Sequence, residues 1–234
     1  MGYTKISAPS LTDLFVQQIE NMILSGELVI GEQLLPAREL SLKMGVSRPV
    51  ISAGLVELEK LGFVEIVPRQ GVFVRDYRRK GSVETLVAIM RYNGGALRKN
   101  EVRSLLETRD ALECLCIRLV LERADTTELE QLAPILDKIA GSKAPDEAAE
   151  QVYTFHHELA MMSGNVLMPL LYNSFHPQSV YLWSLYCKRG GIQPLYEIKL
   201  KLYSALLNRD LDSALEQTHS VMLAAINDLS FYGA

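Results

Sequence analysis

The sequence predicts a mainly α protein: a small helical head carrying one β-ribbon, followed by an all-α bundle of six or seven helices. Three observations predict it. Between residues 34 and 62 two helical segments are separated by a turn that opens on Gly45. At residue 63 the apolar period drops from that of a helix to that of a strand, over two short runs. Beyond Ser82 the strand signals stop, and helical patterns continue to residue 231.

Residues 1–10 read as a flexible start. Leu11–Leu24 is an amphipathic helix with Leu11, Leu14, Phe15, Ile19, Met22 and Ile23 on one face, ended by Ser25-Gly26. Pro36–Met44 is a short helix anchored by Leu40, and Gly45 ends it, because glycine alone enters the left-handed conformation cheaply. Val46 is small enough to pack between two helices. Ser47 suits an N-cap, and Pro49 falls in the first turn, where its missing N–H costs nothing. The next helix, from Arg48 to Leu61, presents Val50, Leu55, Leu58 and Leu61 as its buried stripe, and Gly62 stops it. Residues 63–67 and 71–74 then read as two strands joined by the turn Pro68-Arg69-Gln70-Gly71. Helix, tight turn, helix and ribbon make a winged helix-turn-helix, which places its second helix in a DNA major groove and the ribbon tip beside it. Ser47 and Arg48 sit at the N-terminus of that helix, where free N–H groups favour phosphate and an arginine reaches a guanine edge.

The basic run 77–82 reads as a linker, giving a head of residues 1–76 and a helical domain of residues 83–234. Helical patterns in the second domain cover about 83–92, 100–123, 126–140, 146–163, 165–186, 192–208 and 211–231, with a break at Gly94-Gly95 among others. No charged side chain lies between Glu158 and Lys188. Gly164, Asn165, Pro169 and Pro177 interrupt that stretch, so it reads as two buried segments of a core rather than a membrane span.

Composition fits a soluble globular chain, with 48% hydrophobic and 22% charged residues and a net charge of −4. This excludes a protein that coats nucleic acid non-specifically. Residues 1–80 hold ten Lys/Arg and nine Asp/Glu, so a DNA-binding head must concentrate its positive field locally, on Arg38, Lys43, Arg48 and Arg69. Three cysteines, an odd number, and the lack of a basic-then-apolar leader point to a reducing, cytoplasmic setting. Cys114 and Cys116 face different ways on a helix and read as buried thiols.

Residues 31–74 resemble the DNA-binding domain of GntR-family transcription regulators. The resemblance rests on GEQLLPAREL, GVSR, LVELEKLGFVE and a wing ending GVFV, in order over about forty residues. It implies DNA contacts by Arg38, Lys43, Ser47, Arg48, Arg69, Gln70 and Gly71. Departures are Ser52, where the family often has arginine, Gly54, where it has alanine, and a proline one place late. EVRSLLETRDALE, FHHELAMMSGN and LYSALLNRDLDSA resemble the effector-binding domain of the FadR group in that family. This implies a homodimer on palindromic double-stranded operator DNA, responding to a small molecule held in a helical bundle.

Many such domains hold a metal by one aspartate and three histidines. Aligned on that pattern, the four positions are Val152, His156, Lys199 and Val221, so one ligand remains; His219 lies two places from the last. The expectation is no metal and no other cofactor, with Lys199 and Arg109 supplying positive charge to an acidic effector and His156, Tyr172 and Trp183 beside them; the alternative for the two cations is that they snorkel to the surface or pair with Glu113 or Glu107. A shifted register, with His156 and His219 as ligands of a divalent metal, is the alternative. The fatty-acid regulators of the group also lack the ligands, which makes an acyl thioester a second effector class. An enzyme built on His156 and Glu158 is disfavoured, since the two diverge on a helix and no activated nucleophile is visible. A helical domain that only dimerises is the remaining alternative.

Overall fold

The computed structural model describes residues 9–91 and 99–228. The start of the chain and the Gly94-Gly95 break fall outside them. Contacts divide the chain into two compact units, Met1–Gly95 and Ala96–Ala234. This division falls later than the 77–82 linker read from the sequence. The reason is local: the Thr85 hydroxyl donates to the Leu61 carbonyl at 2.6 Å, and Ala88 joins the first unit's core.

In the first unit α1 (Leu11–Ser25) opens on a capping box, in which Ser10 and Asp13 satisfy each other's backbone N–H groups, and closes on Gly26 at φ 81°. Its buried face is Phe15, Val16, Ile19, Ile23 and Leu24, while Leu11 and Leu14 are exposed. The face is therefore rotated from the expected one. The turn α2 (Ala37–Met44), Gly45 at φ 66°, α3 (Arg48–Lys60) follows the sequence reading closely, and the Ser41 hydroxyl donates to the Val46 carbonyl at 2.6 Å across it. In α3 the buried residues are Ile51, Gly54, Leu55 and Leu58; Val50 and Leu61 are only half-buried. The shift has one cause. A Cβ at Gly54 would fall on the Phe15 ring, so glycine lets α1 lie close against α3 and Phe15 fill the space.

Strands β1 (Val64–Val67) and β2 (Gly71–Val74) pair antiparallel, Val64 opposite Val74 and Val67 opposite Gly71. A single bridge from Gln33 to Phe73 extends the ribbon. The short α4 (Tyr77–Lys80) packs the Tyr77 ring 5.8 Å from that of Phe63, and α5 (Val83–Arg91) completes the unit.

The second unit contains, among the described residues, α6 (Lys99–Arg123), α7 (Thr126–Glu130), α8 (Ala133–Gly141), α9 (Pro145–Met162), α10 (Met168–Ser174), α11 (His176–Gly190), α12 (Ile192–Leu207) and α13 (Leu211–Asn227). The helix count exceeds six or seven because two segments read as continuous are broken, before Pro134 and before Pro177. A proline lacks the N–H for the i−4 bond, so each starts a new helix instead. Helix α9 is central, packed by α6, α8, α10 and α11, while α13 lies on α6 and α12. The uncharged stretch is not uniformly core: Met161, Val166, Leu167 and Leu170 are exposed between its buried parts.

The close approach of α1 and α3 predicts a mutant that contradicts helix propensity. Gly54→Ala should destabilise the protein by about 1–3 kcal/mol through overpacking on Phe15, outweighing the roughly 1 kcal/mol that alanine gains in a helix. Adding Phe15→Leu should recover part of the loss. Urea midpoints of the two single mutants and the double mutant check it; additive losses count against the Phe15 contact.

Candidate functional site

The first unit exposes its cations on the elements that form the head. Arg38 and Lys43 lie on α2, Arg48 on the first turn of α3, and Arg69 at the ribbon tip, all exposed. None makes an ion pair with another described residue. Ser47 occupies the N-cap position of α3, but its side chain makes no capping hydrogen bond. The start of α3 thus presents backbone donors together with a free hydroxyl and a guanidinium, the requirements for a phosphate or a base edge. At the tip Arg69 is held at φ 65° and Gly71 at φ 132°. The Gln33 amide donates to the Gln70 carbonyl at 2.7 Å, which ties the tip to the segment before α2.

The second unit buries a polar quartet. On α6 the Arg109 guanidinium donates to Glu113 at 2.7 Å, one turn along the same helix. On α12 the Lys199 ammonium lies 2.8 Å from His156 Nε2 on α9. His156 Nδ1 faces the second Glu113 oxygen at 3.6 Å. All four residues are at most 6% exposed. The ring of Trp183 on α11 lies under both cations, 4.2 Å from Lys199 Nζ and 5.9 Å from the Arg109 guanidinium carbon.

Burial sets the protonation states. It pushes His156 down to about 3; Glu113 opposes this, and Lys199 and Arg109 add to it. The ring is therefore neutral near neutral pH, with Nε2 accepting from Lys199 and the proton on Nδ1 towards Glu113. Burial also pushes Lys199 down to about 8, with Glu113 opposing and Arg109 assisting. Burial alone would raise the Glu113 carboxyl, but His156, Arg109 and Lys199 together hold it below its ordinary value. Two cations and one carboxylate leave the cluster one positive charge in excess, which favours an anion.

A cavity of about 420 Å³ adjoins the quartet, with Leu106, Arg109, Trp183, Ile198 and Met222 among its walls and Asp228 as a carboxylate on them. A space of about 10 Å³ beside it is lined by Glu113, His156, Lys199 and Thr218; Ile198, Val221 and Met222 face both. Two polar atoms in these walls, Trp183 Nε1 and Thr218 Oγ1, are buried without a partner. Of the residues proposed from sequence, Arg109 and Trp183 therefore line the larger cavity, and His156 and Lys199 the smaller. Tyr172 lines neither: it stacks on His156 with ring centres 6.5 Å apart. Thr218 is not among the residues read from sequence; Glu113 enters that reading only as an ion-pair partner for the cations, and it does pair with Arg109 at i, i+4 spacing.

The residues do not fit a metal here. The His156 Nε2 lone pair, which a metal would need, is taken by Lys199. His219 is exposed and lies 3.0 Å from Asp110 through Nδ1. Among the described residues no group of three or more His, Cys, Asp or Glu side chains is placed to hold an ion.

A winged head and a helical unit with a largely apolar cavity beside a buried charged cluster fit a DNA-binding regulator with an effector domain. Two family models match: the gntR family of bacterial regulatory proteins over residues 12–74, and the FCD domain over residues 104–224. The chain belongs to the GntR family of transcription regulators, with an FCD effector-binding domain, and not to a family of enzymes. It is 29% identical over 195 residues to the regulator LutR of Bacillus subtilis, covering 79% of this chain and 85% of LutR. It is 28% identical over 175 residues to the regulator Mce2R of Mycobacterium tuberculosis, covering 75% and 72%. Among solved structures it resembles that of Lar, which controls the expression of the Listeria monocytogenes agr system, with TM-score 0.64 and 15% identity, covering 95% of this chain and 97% of that one. No described helix is long and apolar enough to cross a membrane.

The depressed His156 value has a sign that can be tested. Below its ordinary value of 6.5 the unfolded ring takes up a proton, while the folded ring resists until about 3. The stability it contributes is full above 6.5 and is lost as the pH falls towards 3. His156→Gln, which keeps an acceptor for Lys199 but does not titrate, should flatten this part of the profile. Urea midpoints of both proteins across the range check it; parallel profiles would mean that the ring is not buried neutral.

Proposed function

We propose that this regulator works in the cytoplasm as a homodimer of the FadR group, gripping a palindromic operator and changing its grip when a small acidic metabolite enters the helical domain. The observation that carries the effector half is the excess positive charge of the Arg109–Glu113–His156–Lys199 quartet beside a largely apolar cavity. An acid with an apolar body uses both properties. An acyl thioester uses the apolar walls, but its carbonyl leaves the charge unanswered, so it is the second reading. No metal or other cofactor enters this scheme, because Lys199 supplies the cation within the site.

On the DNA side, Ser47, Arg48 and Arg38 meet phosphates and major-groove edges, Lys43 adds a phosphate contact, and Arg69, Gln70 and Gly71 at the wing tip approach the minor groove. The exposed, unpaired cations support this reading, as does the turn held by Ser41. Effector binding shifts the population between two dimer geometries that space the two heads differently.

Two measurements test the scheme. Arg48→Ala should weaken specific operator binding by ~1–3 kcal/mol without lowering thermal stability, since the side chain is exposed and unpaired. A titration with no loss removes α3 as the reading helix. Elemental analysis of untagged protein, purified without chelator, should find no stoichiometric zinc, nickel or manganese. About one ion per chain would overturn the metal-free site and make His156 a ligand.

A further inference from the structure

Lys199 is an unusual lysine. It is 3% exposed, and among the described residues no carboxylate lies within ion-pair distance of it. Buried lysines are otherwise almost always paired. Its one hydrogen bond goes to His156 Nε2 at 2.8 Å, which leaves two of its three N–H groups unused. The nearby carboxylate, Glu113, is already engaged by Arg109. The amine lies on the Trp183 ring, which also forms a wall of the 420 Å³ cavity. Arg109, with one nitrogen on Glu113 and other N–H groups unassigned, lines the same cavity.

From this arrangement we propose that Lys199 captures a carbonyl-bearing carboxylic acid as a reversible imine, with the acid's carboxylate on Arg109 and its apolar part in the larger cavity. The proposal rests on the acidic-effector reading above and adds a covalent step to it. A desolvated lysine beside another cation is the usual setting for imine chemistry, because both influences favour the free amine. Here burial and Arg109 act in that direction, and the ammonium loses its proton near pH 8. The free amine attacks the carbonyl carbon, forming a C–N bond while the carbonyl oxygen takes a proton. The resulting carbinolamine loses its hydroxyl as water and becomes a protonated imine. In sum, an ammonium and a carbonyl give an iminium and one water, with charge conserved and no oxidant or reductant needed. The iminium keeps a single N–H, and His156 Nε2 is already placed to accept it. Its positive charge remains beside Glu113. His156 is thus a positioning residue for both forms of the nitrogen.

The test uses the full-length protein with three probes: 2-oxohexanoate, 4-oxopentanoate and, as a control without a carbonyl, hexanoate. Each is incubated with the protein and treated with cyanoborohydride, and the product is read by intact mass and peptide mapping. The expected result is a single adduct from at least one oxo acid, heavier than the free chain by the acid less one oxygen atom and located at Lys199. It should be absent with hexanoate and in Lys199→Arg, which keeps the charge. Lys199→Met serves as a second variant if arginine does not fit the site, and melting curves confirm that each variant is folded. Adducts spread over exposed lysines such as Lys60 and Lys188, or no adduct from either oxo acid, overturn the proposal. If the acids raise the melting temperature without forming an adduct, only the covalent step fails. If they neither bind nor react, the acidic-effector reading fails with it.

Discussion

Burying two cations against one carboxylate is the constraint on which the helical domain depends. A charge in a low-dielectric interior is tolerated only when it is paired and hydrogen-bonded. Arg109 meets this with Glu113 on its own helix, and Lys199 with a neutral histidine from another. Three helices, α6, α9 and α12, are therefore tied at one point by polar groups rather than by apolar packing alone. The flat face of Trp183 from α11 supplies a fourth side and favours the cations without adding a compensating charge. What remains is a cluster with its polar groups paired and one positive charge in excess.

The head follows a different rule. Its packing is set by how closely α1 can lie on α3, and that is set by the glycine opposite Phe15. The core beneath is ordinary, with Ile51, Leu58 and Phe63 fully buried. At the ribbon tip the backbone at Arg69 and Gly71 is in the left-handed region. The head's cations Arg38, Lys43, Arg48 and Arg69 lie outside that packing and form no ion pair with another described residue.

Much of this is legible in the sequence. The turn glycine, the change of period at residue 63 and the basic residues of the head define the winged unit nearly residue by residue. Helix faces are less legible. Leu11 and Leu14 have the spacing of core residues but are exposed, because the pairing of Phe15 with Gly54 rotates α1, and an amphipathic period does not register a void on the opposite helix. The breaks at Pro134 and Pro177 escape a reading by period because the apolar pattern runs on across both. Around the cavity, Arg109, His156, Lys199 and Trp183 can be picked out from sequence, and so can Glu113 as a partner for Arg109, but its second contact, to His156, cannot.

By itself the sequence determined the element order, the two-part organisation, and the departure of Lys199 and Val152 from a metal-binding pattern, because these follow from local period, turn chemistry and residue type. Only the tertiary structure decided that Lys199 points at His156 rather than at a carboxylate, and that Tyr172 backs the site instead of lining it. The first joins α9 to α12 across 43 residues, and the second joins α9 to α10. Burial, which fixes the charge on His156 and lowers that of Lys199, is a property of the packed interior and is not carried by any one segment.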